Sequence, residues 1–388
     1  MFPHISNLIN YLFGTHLTLP VQSYGFMMAI AFIIAALILH HELKRLEKEN
    51  KIPAQQRKSL SGAPAGFTEM LFSGISGFII GWKAIGLLID YPAFSSNPQE
   101  YIFSAKGSLI GAFILTGFFI FLTYYQKEKK RLKKPVIIMT TVHPSQLTIN
   151  FTIIAAITGI AGSKIFDMIE HINDLFTDPV GTIFSFSGLS FYGGLIFAGF
   201  ALVYYAHRNK IRFPYITDAV APGLILAYAV GRIGCQLSGD GCWGVLNIAP
   251  KPSWLGFLPD WMWAFKFPHN VINEGIHIPG CSGDHCFTLQ YAVFPTSFYE
   301  TILGLIIFII LWMIRKKLTI PGYLFCIYLI LNGVERYFIE KIRVNRVYSI
   351  IGMHMTQAEI IAIVLIMFGS AGFWYFKWLK QQRPKSTT

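Results

Sequence analysis

Nine apolar runs of about 20 residues dominate this 388-residue chain and limit what it can fold into. Each run is long enough to cross a bilayer as a helix, and only 13% of the residues are charged, against about 25% in soluble domains. The runs lie at about 22–41, 66–89, 107–125, 148–169, 189–206, 217–237, 297–314, 320–341 and 357–376. They predict an all-α polytopic membrane protein that forms one integral membrane domain over 1–388.

Positive charge alternates from loop to loop along the chain. Segments 42–65, 126–147, 207–216, 315–319 and 377–388 hold 22 of the 32 lysines and arginines, whereas the intervening loops hold five. Because positively charged loops remain in the cytoplasm, the N-terminus is expected outside and the C-terminus in the cytoplasm. The net charge of +12 therefore indicates topology and not nucleic-acid binding. The first run lacks a preceding basic segment, so it is expected to be a retained helix.

The longest extracytoplasmic segment, about 238–296, is predicted to be a loop or a small head region that carries three cysteines. Since this compartment is oxidising, a disulfide is expected between two of Cys242, Cys281 and Cys286. Cys242 is expected to belong to this oxidised framework, and Cys235 to the membrane side. The spacing matches no recognised zinc motif, so no metal site is predicted.

Two helical hairpins resemble each other in sequence. The stretch 81–107 aligns without gaps on 162–188, with seven identities in 27 positions that include Gly81/Gly162 and Lys83/Lys164. The hairpin within 66–147 is therefore predicted to be an extra element and a duplicate of 148–216. A parallel duplication of two spans preserves topology, in agreement with the alternation of charge. Convergent membrane composition is the alternative.

Ionisable side chains at membrane depth point to function. Arg336 and Glu340 are four residues apart in the eighth run, so they share a helix face and can pair, and Arg343 continues that side. Arg232 lies near the outer end of the sixth run, and Glu300 lies near the start of the seventh. These groups are predicted to meet at one level, just inside the extracytoplasmic leaflet.

Arginines with nearby carboxylates suit a phosphate group. A guanidinium holds phosphate oxygens in a bidentate manner, and it remains charged at any relevant pH. A cavity open to lipid would place a phospholipid phosphate at this depth. Glycines in the stretch GRIGCQLSGDGCWG (231–244) are expected to let the backbone approach the headgroup. Tyr192, Gly193 and Gly194, at the start of the fifth run, are expected to form another wall of the site.

The segment GRIG-x-x-x-S-G-acid at 231–240, followed by Trp243-Gly244, resembles the signature of the bacterial phosphatidylglycerol–prolipoprotein diacylglyceryl transferases. Further resemblances are YG at 24–25, GLSFYGG at 188–194, P-x-S-F-Y-E at 295–300, R-Y-F-I-E-x-x-R at 336–343 and MTQ at 355–357. Each piece is weak, but six pieces in the family order are specific. Family members usually have seven spans, so the duplicated hairpin is expected to supply two more.

The resemblance implies an enzyme that transfers the diacylglyceryl group of phosphatidylglycerol to the lipobox cysteine thiol of preprolipoproteins. A thioether forms and glycerol phosphate leaves. The implied partners are phosphatidylglycerol, preprolipoprotein signal peptides with a lipobox cysteine and membrane lipids, without nucleic acid, metal or soluble cofactor. The implied location is the bacterial cytoplasmic (inner) membrane, with the active site toward the extracytoplasmic leaflet.

The resemblance also implies roles for individual residues. Arg336 is assigned to the reacting phosphate, Arg232 to the headgroup or to the structure of the site, and Glu340 to the orientation of Arg336. Tyr192 is expected in the catalytic set. The remaining implied substrate contacts are Tyr24, Gly193, Gly194, Ser238, Asp240, Tyr299, Glu300 and Arg343.

Three positions depart from the family pattern. Tyr192 replaces a histidine regarded as a candidate base, Cys235 replaces an asparagine, and Asn332 replaces a tyrosine. Because tyrosine has an ordinary pKa of about 10, it is a poor base at neutral pH. Another group takes the proton, the arginine field activates the thiol, or the activity differs. The alternatives are an altered homologue acting as a lipid-binding scaffold or transporter, and a transferase with another lipid donor or acceptor.

Overall fold

The structure is a computed structural model that describes residues 1–91, 94, 101, 104, 106–178, 182, 190–345, 347–350 and 353–382. Its helices are α1 (Ile5–Phe13), α2 (Ser23–Lys48), α3 (Phe67–Ile89), α4 (Leu109–Lys129), α5 (Thr148–Glu170), α6 (Ile172–Thr177), α7 (Phe191–Arg208), α8 (Phe213–Ser238), α9 (Thr296–Ile314), α10 (Tyr323–Glu340) and α11 (Gln357–Gln382). Its strands are β1 (Gln55–Ser61), β2 (Val136–Val142), β3 (Ile276–His277), β4 (Phe287–Thr288), β5 (Val347–Ile350) and β6 (Met353–Thr356).

The described residues form an all-α polytopic membrane architecture with small two-stranded antiparallel sheets. Each of the nine predicted runs contains a helix of 18 residues or more. By length and composition, the segments able to cross a membrane are Ser23–Lys48, Phe67–Ile89, Leu109–Lys129, Pro144–Glu170, Phe213–Ser238, Thr296–Ile314 and Gln357–Gln381. Helices α7 and α10 are not among these seven, and α10 carries three charged residues. The count of nine spans stays a prediction.

The first compact unit comprises 1–52, 147–153 and 200–388. Helix α8 is central to it, because α8 packs against α2, α9 and α10, and α10 packs in turn against α11. Ile225, Ile307, Leu311 and Leu324 form a buried apolar core between α8, α9 and α10. Removal of these side chains from contact with lipid or water fixes how the three helices lie beside one another.

The head region begins where α8 ends. Gly239 adopts a left-handed conformation (φ 66°) and its N–H donates to the carbonyl of Cys235, which stops the helix. The region that follows packs around Trp243 and Phe267, and its backbone at Gly244 pairs with Arg343. This pairing brings the end of α8 next to the chain that leaves α10.

The predicted disulfide joins Cys281 to Cys286, close to the short pair of strands β3 and β4. The expectation of one bridge among the three loop cysteines is thereby confirmed. The expectation that Cys242 belongs to the same framework is wrong, because Cys242 is a free thiol. Cys242 lies in the turn after α8. Its carbonyl accepts hydrogen bonds from the hydroxyls of Thr296 and Ser297, at the start of α9.

The second compact unit comprises 53–146 and 154–199, and it contains two helical hairpins. Helices α3 and α4 cross at Gly81 and Gly111, where a side chain on either glycine would overlap the carbonyl of the other. In the second hairpin, Gly162 of α5 and Gly193 of α7 make the same mutual contact. A duplicated hairpin would keep this crossing. Much of the aligned connection, at 179–181 and 183–189, lies outside the described residues, and the duplication stays a prediction.

Asp218 fixes one end of α10. Its carboxylate accepts hydrogen bonds from the N–H groups of Gly322 (2.7 Å), which caps that helix, and of Phe325 (2.9 Å), in its first turn. These donors have no partner within the helix, and a negative charge there also complements the helix dipole. Asp218 lies in α8, so this contact ties α10 to α8 at the end of the bundle opposite to the polar cluster described below.

We predict that Asp218→Ala lowers the free energy of unfolding by about 1–2 kcal/mol, because the first turn of α10 loses its cap. Thermal unfolding of the detergent-solubilised protein measures the loss. Asp218→Asn keeps an acceptor and should lie between this variant and the wild type, and alanine at the exposed Asp284 is the matched control. Equal unfolding temperatures for Asp218→Ala and Asp284→Ala would contradict the assignment.

Candidate functional site

A fully buried carboxylate organises the polar end of the first unit. Glu300, in the second turn of α9, has no exposed surface. Its Oε1 accepts hydrogen bonds from Nη1 of Arg336 (3.1 Å) and Nη1 of Arg343 (3.3 Å). Its Oε2 lies 3.0 Å from Nε of Arg232, close enough for an ion pair but not aligned as a hydrogen bond. Three guanidinium groups therefore meet on one carboxylate.

The predicted pair within α10 is present. Nη2 of Arg336 lies 3.4 Å from Oε2 of Glu340, one helical turn away. Oε1 of Glu340 accepts a hydrogen bond of 2.6 Å from the side-chain amide of Asn345. Glu340 is thus fixed on one side by Asn345, and it orients Arg336 from the other.

Sequence analysis missed Tyr228, and it identified Glu335 as an ionisable residue at membrane depth without assigning it to the site. The guanidinium of Arg232 lies over the ring of Tyr228, 5.1 Å from its centroid. The hydroxyl of Tyr228 donates to Oε1 of Glu335 at 3.3 Å. Tyr228 precedes Arg232 by four residues in α8, so the helical repeat contained the signal, since residues at that spacing share a face.

A second group of side chains lies beside Arg232. The Sγ atoms of Cys235 and Cys242 and a carboxylate oxygen of Asp240 all lie within 4.8 Å of one another. Nη1 of Arg232 is 3.8 Å from Sγ of Cys235. A hydrogen bond with the Cys235 thiol lowers the pKa of the Cys242 thiol below its ordinary value. These atoms are of the types that ligate metals, although sequence analysis predicted no metal site here.

The other predicted substrate contacts of the first unit have these environments. Tyr24 is partly exposed at the start of α2, and its backbone lies against Gly234 of α8. The hydroxyl of Ser238 donates to the carbonyl of Gly234 (2.9 Å), and that of Tyr299 donates to the carbonyl of Met262 (2.8 Å). Gly234 faces α2, so its contribution is close helix packing. A contact of each of these side chains with substrate stays a prediction.

The predicted wall at the start of α7 belongs to the second unit. Gly193 and Gly194 are buried there against α5, where Gly193 meets Gly162 and Phe166. Tyr192 lies in the first turn of α7, and its side chain falls outside the described residues. The roles of these three residues stay predictions.

The arrangement is suited to an anion. Three arginines face two carboxylates, Glu300 and Glu340, within ion-pair distance. The arginine side chains retain 13–22% exposure, so they can still be reached from outside. Guanidinium groups of this kind bind phosphate and stabilise negative charge that develops on a leaving oxygen.

Fold and site together define an integral membrane protein with a buried cluster of arginines and carboxylates at one end of its helical bundle. The family profile described as "Prolipoprotein diacylglyceryl transferase" matches residues 101–375. This range contains every predicted site residue except Tyr24. The chain belongs to the prolipoprotein diacylglyceryl transferase family.

Individual relatives agree with this assignment. A protein of Streptococcus uberis is 30% identical over 268 residues, which is 66% of this chain and 85% of the relative. A protein of Dehalococcoides mccartyi is 28% identical over 61% of this chain and 79% of its own length. One from Corynebacterium efficiens is 27% identical over 58% and 67%. All three are named phosphatidylglycerol–prolipoprotein diacylglyceryl transferase.

We predict that Glu300→Gln lowers the free energy of unfolding by about 3–5 kcal/mol, because three guanidinium groups lose their shared counter-charge in a buried place. Denaturant titration in detergent measures this. Glu128, whose carboxylate is 41% exposed and pairs with Arg131, provides the control, since loss of an exposed pair costs at most about 1 kcal/mol. A Glu300→Gln variant as stable as Glu128→Gln would show that Glu300 does not hold the cluster.

Proposed function

We propose that this protein transfers the diacylglyceryl group of phosphatidylglycerol to the lipobox cysteine thiol of preprolipoproteins. Family membership and the names of the relatives support this activity. The structural observation that carries the proposal is the meeting of Arg232, Arg336 and Arg343 on buried Glu300. A cluster of guanidinium groups of this kind can bind a phosphate.

The reaction is a displacement at a saturated carbon. The thiolate sulfur of the acceptor forms a bond to the glyceryl CH2, while the bond from that carbon to the phosphate oxygen breaks. The electron pair leaves with glycerol phosphate, so the site must stabilise new negative charge on the departing oxygen. A fixed guanidinium does this without reorganisation, and Arg336 is the group we assign to it.

The neighbours of Arg336 orient it and bind the rest of the headgroup. Glu340 orients Arg336, and Glu300 holds it in common with Arg232 and Arg343. Arg232 binds the headgroup or shapes the site, and Tyr24, at the partly exposed start of α2, contacts the headgroup. Tyr192, Gly193, Gly194, Ser238, Asp240 and Tyr299 complete the proposed site.

The proposed topology has nine spans, with the N-terminus outside and the C-terminus in the cytoplasm. It rests on the alternation of positively charged loops and on the nine long helices within the described residues. The arginine cluster then lies toward the extracytoplasmic leaflet of a bacterial cytoplasmic membrane, at the depth of lipid phosphates. Lipid reaches it from the bilayer and preprolipoprotein signal peptides bring the lipobox cysteine.

We predict that Arg336→Ala lowers the rate of thioether formation on a lipobox peptide by at least about 100-fold, because one donor to the leaving oxygen is lost. Purified protein in phosphatidylglycerol vesicles is the system, and thioether product is measured by mass spectrometry. Arg336→Lys keeps the charge without the planar guanidinium group, and its rate should lie between those of the wild type and Arg336→Ala.

Alanine at the exposed Arg131 is the control for this experiment and should leave the rate unchanged. Unchanged turnover in a folded Arg336→Ala protein would exclude the proposed mechanism. Growth of a strain depleted of its own diacylglyceryl transferase, when this chain is supplied, separates an enzyme from a lipid-binding scaffold.

A further inference from the structure

Three potential metal-ligating side chains surround the turn that ends α8. Cys235 lies in the last turn of the helix with 5% of its surface exposed, and Asp240 and Cys242 lie on either side of Gly241. One ligand atom from each, two sulfurs and one oxygen, fall within 4.8 Å of one another. In a tetrahedral thiolate–metal centre with metal–sulfur bonds of about 2.3 Å, the sulfur atoms lie about 3.8 Å apart, which is within this limit.

Hydrogen bonds from the scaffold fix these ligands in place. The N–H of Cys242 donates to Oδ1 of Asp240 at 3.2 Å, which holds the carboxylate next to the thiol. The carbonyl of Cys242 accepts from the hydroxyls of Thr296 (2.7 Å) and Ser297 (2.9 Å). Both hydroxyls are buried at the start of α9, one turn before Glu300. The ligands and the arginine cluster therefore rest on the same helix end.

The ligand set suits a cation better than a disulfide. Cys281 and Cys286 are joined, whereas Cys235 and Cys242 are free thiols despite their proximity. A disulfide would leave the Asp240 carboxylate directed at neutral sulfur. Two thiolates, one carboxylate and a dication together carry one negative charge, and Arg232, 3.8 Å from Sγ of Cys235, offsets that charge. Thiolates select soft ions such as Zn²⁺.

We propose that Cys235, Asp240 and Cys242 bind Zn²⁺ and that its open fourth position holds the thiol of the acceptor peptide. Three protein ligands with one open position are typical of catalytic zinc sites. The inference rests on the proposed transferase function, and it supplies what the chain lacks at Tyr192, a means to deprotonate a thiol at neutral pH.

In the proposed step the proton, the electron pair and the leaving group each have a destination. A thiol that binds the metal releases its proton to the water it displaces, because a metal-bound thiol is deprotonated outright. The bound thiolate sulfur then bonds to the glyceryl CH2, the carbon–oxygen bond to phosphate breaks, and glycerol phosphate leaves with the electron pair. The metal is neither oxidised nor reduced, and the thioether, a weaker ligand, dissociates.

Cadmium is the probe for the site, because thiolate–Cd²⁺ charge transfer absorbs in the near ultraviolet. Purified protein in detergent, reduced mildly so that the Cys281–Cys286 disulfide stays intact, should bind one Cd²⁺ with this band, Zn²⁺ should displace it, and Cys235→Ser and Cys242→Ser should both lose it. Asp240→Asn should keep the band with weaker binding. Cys326→Ser and the double variant Cys281→Ser/Cys286→Ser are matched controls that should retain the full band.

Absence of the band from reduced wild-type protein, or its survival in Cys242→Ser, would overturn the proposal. So would a Cys235–Cys242 disulfide, detected by peptide mass spectrometry in protein alkylated without reduction.

The open position has its own test, which needs no lipid donor. A lipobox peptide should raise the Cd²⁺ band about 1.5-fold, as two bound thiolates become three, while the same peptide with serine for cysteine should not change it. An unchanged band with the cysteine peptide overturns the acceptor role. If the band rises but no thioether forms when phosphatidylglycerol is added, the proposed transferase function fails and the metal site stands. Undiminished transfer by Cys242→Ser would refute a part for the metal in the reaction.

Discussion

The polar end of this bundle depends on the burial of one carboxylate among three arginines. An isolated charge in such a place costs several kcal/mol, and three guanidinium groups without a shared anion would repel one another. Glu300 makes the group stable because each of its oxygens faces at least one arginine. The helices supply the members separately: α8 gives Arg232, α9 gives Glu300 and α10 gives Arg336. The ion cluster therefore also fixes the mutual position of three helices.

The periodic features of the sequence predicted much of this arrangement. The spacing of Arg336 and Glu340 identified a pair on one helix face, and each apolar run overlaps one long helix. The convergence of Arg232 and Glu300 with that pair followed from topology, since ends of neighbouring antiparallel helices meet. The sequence did not identify Tyr228, because a tyrosine within an apolar run looks like a packing residue. Its hydrogen bond to the buried carboxylate of Glu335 becomes visible only in the structure.

The features that the sequence did not predict arise where the chain turns. The sequence groups Cys242 with the loop cysteines because all three lie in a segment expected to face an oxidising compartment. In the structure, two residues with positive φ, Gly239 and Gly241, reverse the chain and return Cys242 toward Cys235. Backbone reversals of this type are set by a few dihedral angles, and no hydrophobic period records them. The alignment of Gly81 with Gly162 likewise did not predict that each glycine lies against a glycine of the partner helix in its hairpin.

The cap that Asp218 places on α10 has a consequence for how lipid enters. Helix α10 spans about 27 Å, at 1.5 Å per residue. One of its ends is held by Asp218 and the other by Glu300. A slide of one helical turn along α8 would break both attachments at once, so this helix has a single register against its neighbour. A phospholipid that enters the proposed site would therefore meet Arg336 on a helix whose position along α8 is fixed at both ends.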